Sequence, residues 1–122
     1  MLFNQIGGMA AVQAVVTEFL TVVGGDSRIN GFFATTDLTT LGRLLVEQIC
    51  SATGGYCVYT GRSMAEAHAG MGVTDADFDA LVEDLLTALT NLGVPYALDG
   101  SQPIDALLFA LLDMRGDIVT AR

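Results

Sequence analysis

Apolar residues recur at three- and four-residue steps along most of the chain, and glycines, mostly in pairs, cut that pattern into pieces. A period near 3.6 with glycine punctuation predicts helices joined by tight breaks. Val12, Val15, Val16, Phe19, Leu20 and Val23 form one stripe, predicting a helix over about 9–23. Gly7-Gly8 separates it from a short first helix, and Gly24-Gly25-Asp26-Ser27 ends it. A compact segment around Phe32 and Phe33 follows, and Thr35, Thr36 and Asp37 then offer caps. Leu41, Leu44, Leu45 and Ile49 form the next stripe, which ends at Gly54-Gly55. Ser63 with Glu66 reads as a capping box for a short helix stopped by Gly70 and Gly72. Thr74 caps another helix, with Phe78, Leu81, Leu85 and Leu89 inward. Ser101 and Pro103 open the last one, with Ile104, Leu107, Leu108, Leu111 and Met114 inward. The fold class is all-α, four longer helices and two or three short ones, with 53–62 irregular.

The length of 122 residues suits one domain, so 1–122 is read as a single unit with a real core. There are 14 acidic residues against 5 basic, a formal charge of -9, so nucleic acid and anionic membrane surfaces are disfavoured partners. The longest wholly apolar run, 106–112, is far short of the ~20 residues a spanning helix needs. A mean hydropathy of +0.53 therefore signals a dense core or a pocket for something apolar. The opening Met-Leu-Phe-Asn-Gln lacks a leader pattern and favours the cytoplasm; the periplasm stays open if a leader was removed or the cysteines are oxidised. One His rules out a multi-His zinc site, and two Cys make no zinc knuckle. Asp75, Asp77 and Asp79 alternate as in a calcium loop, but they open a periodic helix on which alternate residues do not converge.

Three residue sets carry candidate chemistry. His68 lies late in a short helix, where it is either a helix-end imidazole favoured by the dipole or an axial ligand to haem iron. Phe19, Phe32, Phe33 and Phe78 could wall a flat aromatic ligand or be plain core. Cys50 and Cys57 bracket Gly54-Gly55, a spacing that allows a disulfide across the turn or two reduced thiols. A redox-sensing role is weaker, because no cation is evident to lower a thiol pKa.

Ile6-Gly7-Gly8, Gly31-Phe32-Phe33, Gly54-Gly55, Tyr59-Thr60-Gly61 and the run from His68 through Gly70, Gly72 and Val73 to Thr74 occur in that order. In these motifs the chain resembles the group I truncated haemoglobins, nearly end to end. The resemblance implies a truncated globin-like two-on-two helical sandwich around a haem b. It makes His68 the proximal iron ligand. Phe33 becomes the aromatic packed on the haem near the corner before the distal helix. Met64, Val73 and Phe78 become proximal pocket wall, and Leu20, Leu41 and Leu45 the positions over the sixth site. Arg43, Tyr59, Arg62 and Thr36 fall in segments flanking the propionates.

The chain departs from well-known members, which place Tyr on the second helix and Gln on the distal helix. Here Phe19 precedes Leu20, and Leu45 stands at the distal position. Dioxygen held there carries partial negative charge, and a donor would stabilise it by roughly 1.5–3 kcal/mol. The Leu trio lacks that donor, so weakened oxygen affinity and better preserved carbon monoxide binding are expected. Gln48 breaks the stripe, either with its amide in solvent or as a replacement donor. The reading is a haem protein binding diatomic gases (O2, CO, NO) at an open sixth site, as carrier, store or sensor. The alternatives are a haem redox enzyme, such as a nitric oxide dioxygenase or peroxidase with an electron-donor reductase, and a cofactor-free helical interaction module.

Overall fold

The computed structural model describes residues 2–120, and among them the regular elements are all helices, with no strand. The elements are α1 (Leu2–Gln5), α2 (Gly8–Gly24), a 3-10 turn (Asn30–Phe33), α3 (Leu38–Ala52), α4 (Met64–His68), α5 (Asp75–Asn91), α6 (Asp105–Asp113) and α7 (Arg115–Ile118). The expected caps form. Asp37 accepts from Thr39 and Thr40 at the start of α3. Ser63 with Glu66 and Thr74 with Asp77 make reciprocal capping boxes on α4 and α5, each satisfying two of the orphan donors at a helix start. Gly70 and Gly72 both adopt positive φ (75° and 72°), which turns the chain sharply from α4 into α5.

Helix α2 packs on α5 and on α3, and α7 packs on α4, α5 and α6. Val15, Leu85, Leu89, Ile104 and Leu108 join α2, α5 and α6 in one buried cluster. Val73, Phe78, Ile118 and Val119 form a second cluster below α4, and Val23, Ile29 and Ala80 a third beside the 3-10 turn.

The end of the chain differs from expectation. The last helix starts at Asp105, without a side-chain cap, and breaks at Met114. Asp105 is completely buried. Its carboxylate accepts from the backbone N–H of Ala97, Leu98, Gly100 and Gln102 at 2.9–3.2 Å. Burial pushes that carboxyl up, but the four donors outweigh it and hold it below the ordinary range. They also hold Leu98 at φ 62°, a left-handed conformation unusual for a branched side chain. The break at Met114 lets Arg115 reach Asp75 (3.2 Å) and Asp79 and lie over the Phe78 ring, 4.5 Å from its centroid. Beyond the break, the Thr120 N–H donates to Val73 O at 2.9 Å and closes the chain onto the second cluster.

Candidate functional site

His68 sits in the last turn of α4, its ring half-buried. Its Nδ1 lies 2.8 Å from the Met64 carbonyl oxygen, one turn back. A carbonyl only accepts, so this contact places the ring proton on Nδ1 and leaves the Nε2 lone pair free. This bond fixes the ring's orientation, as the equivalent bond does for metal-bound imidazoles.

Helix α3 supplies the wall across from α4. Leu41, Leu44, Leu45 and Gln48 share one face by three- and four-residue spacing. The direction of that face is set by Gln48, whose amide nitrogen lies 3.4 Å from Met64 Sδ and 3.9 Å from Met114 Sδ. The amide is thus turned inward, not to solvent, and thioether sulfur is a weak acceptor for it. Every apolar residue of that face is only half-buried, and Cys50 is the one fully buried residue of α3. The backbones of α3 and α4 hardly approach each other. Apart from the Gln48–Met64 contact, the apolar face of α3 is left incompletely covered. That arrangement fits a flat apolar group lying between a free imidazole nitrogen and a Leu-rich wall, and the residues present suit haem.

The remaining expected residues divide. Met64, Val73 and Phe78 meet in the second cluster, with Phe32 and Met114 beside them. Leu20 lies against Gly42 on α3, where an added Cβ would sit 3.5 Å from Leu20 Cδ1. Leu20 also shares a cleft of about 380 Å³ with Phe33 and Leu38. A second cleft of similar volume, on α5 between Glu83, Thr87, Asn91 and Tyr96, shares no residue with the expected site. Phe19, expected in the distal pocket, is instead packed into the first and third clusters. Neighbours on a helix point about 100° apart, so Leu20 can face the cleft only if Phe19 turns to the core.

Arg43 and Tyr59, expected at the propionates, are engaged in the 53–62 segment. Arg43 pairs with Glu47 at 2.8 Å and donates to Thr60 Oγ1 at 3.2 Å. Glu47 accepts from Thr60 Oγ1 (2.7 Å) and N–H (3.0 Å), and these bonds, with Arg43, hold its carboxyl below the usual range. The Tyr59 hydroxyl donates to Arg62 O at 2.6 Å, and the Thr36 hydroxyl is turned to Phe32 O. Cys50 and Cys57 are bonded (S–S 2.02 Å), closing the turn at Gly54-Gly55. Sequence reasoning missed Met114 as a neighbour of Gln48 and Glu47 as the anchor of Thr60, because both contacts join distant segments. Among the described residues no cluster of His, Cys, Asp and Glu could hold a metal ion by itself, and no helix is long and apolar enough to cross a membrane.

A family model described as bacterial-like globin matches residues 1–109. A group 1 truncated haemoglobin of Mycolicibacterium paratuberculosis is 34% identical over 98% of this chain and 84% of its own length. One from Synechocystis is 38% identical over 77% of this chain and 79% of its own. Among solved structures, the 2/2 haemoglobin of a Synechococcus, which carries a covalently attached haem, superposes with a TM-score of 0.85 at 32% identity, covering 97% of both chains. The Fe(III) truncated haemoglobin of Tetrahymena pyriformis gives 0.83 at 27% identity, covering 99% of this chain and 98% of its own.

Proposed function

Because the chain belongs to the bacterial-like globins, among the group 1 truncated haemoglobins, we propose that it holds haem b through His68 and binds O2, CO and NO reversibly between α3 and α4. The observation that carries this reading is the 2.8 Å contact of His68 Nδ1 with Met64 O, which leaves Nε2 free to take a ligand. Haem, when bound, supplies an iron with one position left for a small gas.

The chain's own residues set what that position favours. His68 is oriented by the Met64 carbonyl, so its tautomer is fixed before any ligand arrives. Leu20, Leu41 and Leu45 line the gas side, exclude water, and offer no hydrogen-bond donor. A ligand that gathers negative charge is therefore held less firmly than carbon monoxide. Gln48 is the one donor on that face, parked on two soft sulfurs. Glu47, the carboxylate beside it in sequence, is turned to Thr60 and Arg43 and offers no acid-base group to the gas side. Gas carriage, storage or sensing is thus favoured over peroxide turnover.

Absorption spectra of the purified protein as isolated, reduced, and reduced under carbon monoxide test this. A sharp haem band that shifts with carbon monoxide, lost in His68→Gly and regained with added imidazole, is expected. A protein that stays colourless after haem titration, or a His68→Gly variant with an unaltered spectrum, would overturn it.

A further inference from the structure

The Cys50–Cys57 bond lies outside the gas site, yet it ties the helix that walls that site to the segment leading into the helix that carries His68. Cys50 is in the last turn of α3 and wholly buried. Cys57 is half-buried, and its neighbours Tyr56 and Val58 stand out in solvent at 99% and 78% exposure. The bond therefore runs from inside to outside. A thiolate must approach along the S–S axis, opposite the sulfur it displaces. Attack on Cys57 with Cys50 leaving comes from the exposed side, whereas the reverse would come through the core. We infer that Cys50–Cys57 is a thiol–disulfide exchange site, opened by a dithiol reductant that attacks Cys57, and that opening it changes gas release from the site between α3 and α4.

The step balances. The reductant's thiolate bonds to Cys57 Sγ, the Cys50–Cys57 bond breaks, and its electron pair goes to Cys50 Sγ, which takes a proton. The reductant's second thiol then attacks its own sulfur in the mixed disulfide and releases the Cys57 thiolate, which takes a proton in turn. The chain gains two thiols, and the reductant is left as a disulfide. The second thiol is required. Cys50 stays close enough, 5.8 Å between Cα atoms, to close again and expel a monothiol.

The consequence follows from what else holds 53–62. Gly55 N–H donates to Cys50 O at 2.8 Å, and Thr60 is bound to Glu47. With the disulfide open, the Glu47–Thr60–Arg43 set, with Thr60 and Arg43 exposed and Glu47 half-buried, is the remaining tie across to α3 that the structure shows beyond the turn itself, and contacts open to solvent are weak. Ser63, the cap of α4, follows directly. Loosening this segment removes one restraint on α4, a helix too short to stand alone and otherwise held by its packing on α7 and by Met64 in the second cluster, and so lets His68 shift.

The effect on gas release rests on the gas-binding reading; the exchange chemistry does not. The test uses the folded, haem-loaded protein without denaturant. It is incubated with thioredoxin, kept reduced by its reductase and NADPH, or with glutathione at equal thiol concentration. Thiols are counted by alkylation and mass. Hydrogen exchange of 53–62 is measured with and without haem, and carbon monoxide release is followed optically. Two thiols with thioredoxin and few with glutathione are expected, with exchange about tenfold faster and release changed at least about threefold. The Cys50→Ser/Cys57→Ser variant should reproduce the reduced values, and if it does not fold, reduced wild type supplies them. Thiols appearing only in denaturant, or equally with both reductants, would overturn the exchange site. Thiols appearing with unaltered exchange and release would overturn the coupling. A haem-free protein that still yields two thiols would sink the gas-binding reading and leave the exchange site standing.

Discussion

Replacing Asp84 by Asn should stabilise the protein at neutral pH and do nothing near pH 4. Asp84 is on α5, 5% exposed, and its Oδ2 has no hydrogen-bond partner. Its Oδ1 is 3.6 Å from Arg28 Nη2, but that guanidinium is already held by Asp26 at 2.9 Å and Glu83 at 2.7 Å. Burial first, and Asp26 next, push the Asp84 carboxyl from an ordinary 3.8 up to about 6, with Arg28 opposing. The folded state therefore keeps a proton that the unfolded chain has lost between about pH 4 and pH 6. Stability falls as pH rises through that window, and the whole cost is present above it. A shift of this size corresponds to about 3 kcal/mol. Asn keeps an unpaired oxygen and loses the Arg28 attraction, so the expected gain at about pH 7.5 is roughly 1–2 kcal/mol. Asp26 responds in the opposite sense. Arg28 holds its carboxyl far below the usual range, and its contribution is lost only as pH falls below about 4. The assay is urea unfolding of both proteins over a pH series, read as the difference between the two curves. A difference that stays flat from about pH 4 to 7, or an Asn variant less stable at about pH 7.5, would refute the reasoning.

Leu20→Tyr should slow oxygen dissociation about tenfold or more, the effect of one charge-assisted donor; an unaltered rate in carbon monoxide displacement would remove Leu20 from the gas side. Gln48→Leu should shift the stretching frequency of bound carbon monoxide if the amide reaches the gas, and an unmoved band would confine Gln48 to its two methionines. Asp105→Ala should lower Tm, because four backbone N–H groups of 97–102 lose their acceptor. The wild-type advantage over this variant should shrink as pH falls through the lowered Asp105 pKa. Gly55→Ala should cost about 1–3 kcal/mol in chemical denaturation, since its Cβ would sit 2.6 Å from Cys50 Sγ and 2.9 Å from Phe3 Cδ2.

The helices were legible because their causes are local. Caps at Asp37, Ser63 and Thr74 and breaks at Gly7-Gly8, Gly54-Gly55, Gly70 and Gly72 depend on residues within a few positions of each other. His68 stood out as the single imidazole, and its bond to Met64 is an intrahelical contact that spacing alone permits. The break at Met114 was not legible. Just past it Arg115 is held by Asp75, Asp79 and Phe78 of another helix, and the one local signal, Gly116, does not by itself end a helix.

The sequence by itself determined the helical class, the positions of most of the turns and the chain's single imidazole, because composition and short-range periodicity carry all three. Tertiary structure decided the rest. It turned Phe19 to the core and Leu20 to the cleft, brought Gln48 onto Met64 and Met114, tied Thr60 to Glu47, joined Cys57 to Cys50, and folded 97–102 around Asp105. Each of these depends on which groups lose water together, and a residue's burial and partners are set by chain segments that only the packed fold brings within reach.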